Sequence, residues 1–126
     1  MILAVEDAFP LPHSVVESLT AMGLDVVRTN SAARAAAVAR SILLDGVVLT
    51  SEDSVGDDDA IRPAIALLFQ GPPVLTCPVV VLTDHDLTTA EARCVSGLDV
   101  LLLRPNTLDR RDARERLVRH VADAAQ

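Results

Sequence analysis

Charged and hydroxyl side chains follow four apolar segments of this sequence, at points where the strands of a sheet could end. Glu6 and Asp7 come directly after MILAV, and Thr50 closes the run GVVLT. Thr83 closes PVVVLT, and Arg104 follows DVLLL and precedes a proline. An acidic pair is a set of ligands for a hard cation such as Mg²⁺, and a guanidinium is a permanent positive charge. The sequence therefore contains the parts of a polar site, provided that the four segments end at one edge of a sheet.

The apolar segments alternate with stretches of helical periodicity, which is the pattern of five β/α units. The predicted strands are residues 1–5, 24–29, 46–50, 78–83 and 99–103. The predicted helices are residues 12–22, 31–44, 58–69, 88–95 and 107–125. Strands that are apolar throughout are typical of a parallel sheet covered by helices on both faces, and the partly polar second strand suits a sheet edge. Right-handed crossovers then favour one doubly wound α/β domain over residues 1–126, with a site at the carboxyl ends of strands 1 and 3.

Local signals mark the ends of several predicted helices. Ser31 is the expected N-cap of the second helix, and Gly23 is a natural stop after the first. The acids of residues 57–59 are placed to interact favourably with the dipole of the third helix. The last helix is expected to expose arginines and acids and to bury an apolar stripe made of Leu108, Ala113, Leu117, Val121 and Ala125.

Composition excludes several classes of protein. A chain of 126 residues, 50% of them hydrophobic, is long enough for one buried core and too apolar to be disordered. The formal net charge of −7 argues against nucleic acid as a direct partner. The sequence has neither a signal peptide nor a membrane-length apolar run, so we expect a cytoplasmic protein without membrane contact. Cys77 and Cys94 lack CxxC spacing and are expected to be reduced thiols, and no glycine-rich nucleotide-binding motif occurs.

The same segments resemble the receiver domain of response regulators over essentially the whole chain. The resembling pieces are ILAVEDA, DGVVLT, PVVVLTDHD, GLDVLLLRP and the closing amphipathic helix. The resemblance implies a flavodoxin-like, CheY-like fold with the strand order 2-1-3-4-5. In that family the acidic pair after strand 1 and an aspartate ending strand 3 hold Mg²⁺, and the aspartate accepts a phosphoryl group from a histidine kinase. A hydroxyl after strand 4 and a lysine after strand 5 contact that group, and an aromatic side chain on strand 5 reports the state.

The sequence keeps the acidic pair and the hydroxyl of this pattern but departs from it at three other positions. Thr50 stands where the resemblance places the phosphoacceptor aspartate, Arg104 where it places the lysine, and Leu101 where it places the switch aromatic. A threonine hydroxyl is not ionised near neutral pH, and the loss of one carboxylate weakens a Mg²⁺ site. Arg104 carries a permanent positive charge at the same predicted sheet edge. We therefore expect it to form a fixed ion pair with Glu6 or Asp7.

These departures predict an atypical receiver, a pseudo-receiver that is not an enzyme and that signals within a two-component regulator without being phosphorylated. We expect it to need no cofactor, and weak binding of Mg²⁺ at Glu6 and Asp7 stays open as an alternative. The alternative is a working phosphoacceptor that uses Asp53 or Glu52 in place of the missing aspartate. A small-ligand sensor at the same sheet edge is a third interpretation.

Several of these residues also have a purely structural interpretation. Glu6 and Asp7 are then solvated acids at a strand end, and Thr83 is a turn or cap hydroxyl for the following helix. The three histidines lie on separate elements, which argues against a histidine metal site.

A possible interaction surface is predicted on strand 5 and the last helix. Mixed charge on the helix beside the apolar strand suits a two-fold contact with reciprocal ion pairs. Receivers commonly pair through the face of helix 4, strand 5 and helix 5, so we expect a homodimer or an effector domain to bind there. The predicted contact residues are Leu101, Leu103, Arg110, Arg111, Asp112, Arg114 and Glu115.

Overall fold

A computed structural model describes residues 1–51, 58–69 and 77–124 of the chain. The strands are β1 (Ile2–Glu6), β2 (Val26–Thr29), β3 (Gly46–Thr50), β4 (Val79–Leu82) and β5 (Val100–Leu103). The helices are α1 (His13–Ala21), α2 (Ala32–Ser41), α3 (Pro63–Phe69), α4 (Thr89–Cys94) and α5 (Arg111–Ala124), and a 3₁₀ helix spans Pro105–Asp109. No helix in the described ranges is long and apolar enough to cross a bilayer.

The five strands form one parallel sheet in the order β2-β1-β3-β4-β5, which confirms the predicted fold and strand order. The central strands β1, β3 and β4 are almost wholly buried, whereas β2 and β5 at the two edges are half-buried. Glu6 pairs with Thr50 in the register of β1 and β3, so two of the predicted site residues are neighbours at the carboxyl edge.

Alternation of side chains along the strands divides the core into two layers, one on each face of the sheet. Val48 and Val80 point to the face covered by α1 and α5, where they pack with Leu117. Val47 and Val79 point to the opposite face, which α2 and α3 cover. Thr50 continues the first set by this alternation, and Thr83 continues the second.

Two predicted helix starts need correction. The third helix begins at Pro63 rather than at residue 58. Proline suits a first helical position because an N–H at that position would have no acceptor within the helix. Asp58 and Asp59 therefore lie in a turn before the helix rather than in its first turn, and Asp57 lies outside the described residues. The last helix begins at Arg111 because residues 105–109 form the 3₁₀ helix.

The second helix is also shorter than predicted at its end. Ser31 caps it as expected, since its Oγ accepts a hydrogen bond from the Arg34 amide at 3.3 Å. The helix ends at Ser41, because Ile42 turns into an extended conformation that lets Leu44 enter the core. Gly23 has a φ of +83° directly after α1, which agrees with its predicted role as a stop.

The predicted apolar stripe is buried in the described residues, although Leu108 belongs to the 3₁₀ helix and not to α5. Leu108, Ala113, Leu117 and Val121 are buried, and Ala125 lies outside the described residues.

Candidate functional site

The candidate site lies at the carboxyl edge of the sheet, where β1, β3, β4 and β5 end. It contains Glu6, Thr50, Thr83 and Arg104, as the sequence predicted, and each of them is engaged by a partner within the chain. The partners decide what chemistry each group can perform.

Glu6 is held by an arginine that the sequence analysis did not single out. Arg28 on the edge strand β2 donates from Nε to Glu6 Oε1 at 2.9 Å and from Nη2 to Oε2 at 2.8 Å. The Leu11 amide donates a third hydrogen bond to Oε2 at 2.6 Å. The hydrogen bonds from Arg28 lower the pKa of Glu6 from its ordinary value, against the opposing effect of partial burial. Both carboxylate oxygens are thus committed to protein donors.

Thr50 is fully buried, and its hydroxyl is hydrogen-bonded to the backbone of the loop that follows β1. Its Oγ1 lies 2.8 Å from the Phe9 carbonyl oxygen, to which it can donate its proton. The same oxygen accepts from the Ala8 amide at 3.3 Å and the Phe9 amide at 3.4 Å. A hydroxyl has one proton and two lone pairs, so these contacts use its full hydrogen-bonding capacity.

Thr83 is also fully buried and has two donors around its hydroxyl. Its Oγ1 accepts from the His85 amide at 3.1 Å, which is the turn role that the sequence predicted as one alternative. It also accepts from Nη1 of Arg62 at 3.3 Å, a contact that the sequence analysis missed. The arginine reaches Thr83 from the residue just before α3.

Arg62 is the largest fully buried side chain of the described residues, and it organises the loop between β4 and α4. Its Nη2 donates to the Asp86 carbonyl at 2.9 Å and lies 3.4 Å from the His85 carbonyl. Its Nε lies 3.4 Å from Oε2 of Glu91, and its backbone amide donates to the same oxygen at 3.0 Å. A buried cation is tolerable only when it is paired and hydrogen-bonded. The Glu91 carboxylate supplies the opposite charge and both Nη atoms are hydrogen-bonded, whereas Nε has no hydrogen-bond partner among the described residues.

Glu91, the partner of Arg62, also closes the N-terminus of α4. Thr88 and Glu91 form a capping box, with the Glu91 amide donating to Thr88 Oγ1 at 3.1 Å and the Thr88 amide donating to Glu91 Oε1 at 2.9 Å. The TTAE sequence carries the signature of this box, so the cap could have been predicted. The additional pairing of Glu91 with an arginine 29 residues away had no local signal.

Arg104 does not make the predicted ion pair with Glu6. Its guanidinium donates instead to the Asp84 carbonyl and lies 3.3 Å from the Asp86 carboxylate. Both contacts are in the loop after β4, next to β5 in the sheet, whereas Glu6 is on the far side of β3 and already pairs with Arg28. The expectation for Arg104 and Glu6 was therefore wrong.

The residues that could hold a metal ion do not converge in the described part of the chain. Within residues 1–51, 58–69 and 77–124, no three His, Cys, Asp or Glu side chains lie close enough together to bind a metal ion. Among the described residues, the donor set at the sheet edge consists of Glu6, paired with Arg28, with Asp7 beside it and a hydroxyl at Thr50. This set does not fit a Mg²⁺ ion, which prefers several free oxygen ligands. The alternative acids Glu52 and Asp53 lie outside the described residues.

The predicted interaction surface is divided between the two sides of α5. Arg111, Arg114 and Glu115 line a groove against α1 rather than the side next to β5. Leu101 lines a separate hollow of about 260 Å³ on the β5 side, with Arg116, Arg119 and His120, which the prediction did not include.

The other predicted surface residues differ in their exposure to solvent. Leu103 is buried in the core, so it does not belong to any surface. Arg110 and Asp112 are exposed and pair with each other at 3.1 Å.

The fold is found in solved structures although no sequence family matches. No protein-family model matches the chain, and no curated protein sequence is significantly similar to it. A response regulator from Desulfuromonas acetoxidans matches with a TM-score of 0.54 and 18% identity, over 93% of this chain and 96% of that one. A putative pilus assembly-related protein from Burkholderia pseudomallei matches with a TM-score of 0.49 and 26% identity, over 98% of this chain and 88% of that one. The match to the response regulator shows that the chain has a flavodoxin-like, doubly wound α/β fold along nearly its whole length.

Proposed function

We propose that the chain is a receiver-like signalling module that acts by binding protein partners and does not take part in phosphoryl transfer. The observation that carries this proposal is the hydroxyl of Thr50, which stands at the position of the phosphoacceptor aspartate in the resembling family. It is buried and bound to the backbone of residues 8 and 9.

The chemistry of Thr50 supports this role. A phosphoacceptor must present a nucleophile that is ionised, or that a nearby base can deprotonate. The proton of Thr50 is directed to the Phe9 carbonyl, which is not a base at neutral pH, and the oxygen accepts from two amides. A buried hydroxyl that fastens a loop has a structural role that explains its presence without any reaction.

Other groups at the sheet edge support the same proposal. Glu6 is paired with Arg28, so it already has the kind of partner that a cation would supply. Thr83 accepts from Arg62 and from the His85 amide, so its hydroxyl already has a structural role in the turn after β4. Arg104 is directed to the loop after β4. Receiver switching in the resembling family depends on such groups changing partners. In this chain these groups already have partners within the protein. This favours one fixed conformation, no enzymatic activity and at most weak Mg²⁺ binding.

Titration with Mg²⁺ and beryllofluoride, followed by amide NMR shifts of Glu6, Asp7, Thr50 and Thr83, tests the proposal. Beryllofluoride imitates a phosphoryl group only where a carboxylate is positioned to hold it, so we expect no saturable shifts. The matched variant Thr50→Asp/Arg104→Lys restores the carboxylate and the ammonium. Shifts gained in that variant alone identify these two positions as the cause of the silence.

Saturable shifts in the unmodified protein that spread from Thr50 into residues 99–119 would contradict the proposal. They would favour the alternative phosphoacceptor. The variants Glu52→Gln and Asp53→Asn then identify the acid, because only the loss of the acceptor abolishes the response and the mass increase produced by a small phosphodonor.

A further inference from the structure

A groove runs between α1 and α5 on the face of the sheet opposite α2 and α3. Its volume is about 550 Å³, and its lining combines apolar surface from Ala21, Met22 and Val118 with charged groups from α5. Met22 is 50% exposed, so it adds accessible apolar surface to the groove. The charged groups are Arg111, Arg114, Glu115 and Arg119.

Charge is distributed very unevenly along the chain, and three arginines of its positive part, Arg111, Arg114 and Arg119, line this groove. Residues 104–126 contain six of the eleven arginines and four acids, whereas residues 1–103 contain five arginines and fourteen acids. A locally positive groove on a protein of net charge −7 attracts a negatively charged partner and steers its approach.

The groove arginines keep hydrogen-bonding capacity after their internal contacts are made. Arg111 pairs through Nε with Glu115 at 3.0 Å, and Arg114 donates through Nη1 to the carbonyls of Leu108 and Asp109. Both retain further N–H donors, because a guanidinium has five. Arg119 has no hydrogen-bond or ion-pair partner among the residues that the structure describes.

We propose that this groove binds an acidic amphipathic helix of a protein partner. Apolar side chains of that helix would cover Ala21 and Met22, and its flanking carboxylates would pair with Arg111, Arg114 and Arg119. The groove lies between two helices of 9 and 14 residues, about 14 and 21 Å long, and a helix that binds in a groove is a recurring mode of peptide recognition. The proposal rests on the proposed function, since it gives the interaction module its binding site and partner chemistry.

The chemistry favours an acidic helix over nucleic acid. The apolar side chains of the groove gain nothing from contact with a phosphate backbone. The acids of the remaining surface would repel a long polyanion. A short helix places its charge only on the basic rim. Ion pairs at an exposed rim contribute little binding free energy each. Burial of the apolar stripe of the helix would supply the larger part.

Binding of designed peptides to the whole chain tests the proposal by fluorescence anisotropy. The probe is a 16-residue helical peptide with leucine at i, i+3, i+4 and i+7 positions and glutamate on both flanks. Its control has the same leucines with lysine flanks. We expect the glutamate peptide alone to bind, and Arg119→Glu to weaken binding by about tenfold, as expected for a charge reversal at a rim. Arg34→Glu on α2 makes the same charge change away from the groove and should leave binding unchanged.

Met22→Ser provides a second variant, because it removes apolar surface at an exposed site without endangering the fold. It should also weaken binding of the glutamate peptide. Equal binding of both peptides, or equal effects of Arg119→Glu and Arg34→Glu, would overturn the proposal. Tighter binding of a single-stranded oligonucleotide than of the glutamate peptide would assign the groove to nucleic acid instead. A beryllofluoride response would contradict the proposed function and leave these binding results as they are, so the two failures are distinguishable.

Discussion

The carboxylate of Glu6 and the guanidinium of Arg28 form a two-point pair across the first two strands, at the edge of the sheet where a cation would bind. Their strands are adjacent, and both contacts are 2.9 Å or shorter. Planar, bidentate pairing is the strongest geometry available to these groups. The pair converts an acidic site into a neutral structural contact between the central sheet and its edge strand.

This pair should make stability depend on pH in a defined direction. Because Arg28 lowers the pKa of Glu6 in the folded state, the stabilisation is fully present above the unfolded pKa of about 4.3 and is lost as the pH falls through the folded pKa. Arg28 is 42% exposed, so we expect Arg28→Ala to lower the free energy of unfolding at pH 7 by only about 1 kcal/mol.

Urea unfolding of Arg28→Ala and of the unmodified protein between pH 7 and pH 2 measures this effect. The difference between the two should shrink below the ordinary glutamate pKa and vanish once Glu6 is protonated in the folded protein. Arg40→Ala on the exposed side of α2 is the control. A difference that stays constant over the whole pH range would show that the ion pair is not its cause.

Thr50 should control the order of the loop after β1. Thr50→Val keeps the shape of the side chain but leaves the Phe9 carbonyl and the Ala8 amide without their partner. We expect it to lower the free energy of unfolding by about 1–3 kcal/mol and to remove hydrogen-exchange protection from the amides of residues 8 and 9. Thr50→Ser keeps the hydroxyl and should retain that protection. Equal protection in the two variants would contradict the proposed fastening role.

Much of this architecture could be predicted because periodicity and strand-end chemistry are local. The apolar runs locate the strands, and right-handed crossovers restrict their order. Thr83 could be interpreted as a turn hydroxyl because its partner is two residues away. The buried Arg62 could not be predicted in the same way. Arginine is usually exposed, and nothing beside it in the sequence indicates an acid 29 residues later.

The division of α5 into two surfaces could be predicted only in part. The apolar stripe of the helix was predicted, but the residues flanking it were assigned to one surface. At about 100° per residue, Arg114 and Val118 fall on one side of Leu117, and Arg116 and His120 on the other. The structure places the first pair against α1 and the second against β5. Helical geometry thus contained the signal, and only the position of the neighbouring elements was needed to use it.

Gly46 lies where α5 packs closely on the sheet. A Cβ at this position would lie 3.2 Å from Cγ1 and 3.3 Å from Cβ of Val121, and 3.2 Å from Cδ1 of Ile2. We expect Gly46→Ala to lower the free energy of unfolding by about 1–3 kcal/mol through overpacking. Val121→Ala removes the obstructing methyl groups. Thermal or urea unfolding of the double variant should therefore show less destabilisation than the sum of the single variants, and simple additivity would refute the contact.

Arg62 and Glu91 should together fix the loop between β4 and α4. Their charges are buried in a site with little access to water, so removing one leaves the other uncompensated. We expect Arg62→Met to lower the free energy of unfolding by about 3–5 kcal/mol. Glu91→Gln keeps a side chain able to cap α4 but loses the charge. The double variant Arg62→Met/Glu91→Gln should be less destabilised than the sum of the two, by about 0.5–3 kcal/mol of coupling.

Amide NMR of the loop gives this prediction a structural readout. Arg62 donates to the carbonyl of Asp86 and to Thr83, so Arg62→Met should broaden or shift the amides of residues 84–88 and leave those of β2 unchanged. Arg93→Met, on the exposed side of α4, controls for the loss of a charge near the same helix. If the two arginine variants have equal stability, or if the cycle shows no coupling, the buried pair does not hold the loop. A fixed conformation at this edge would then need another cause.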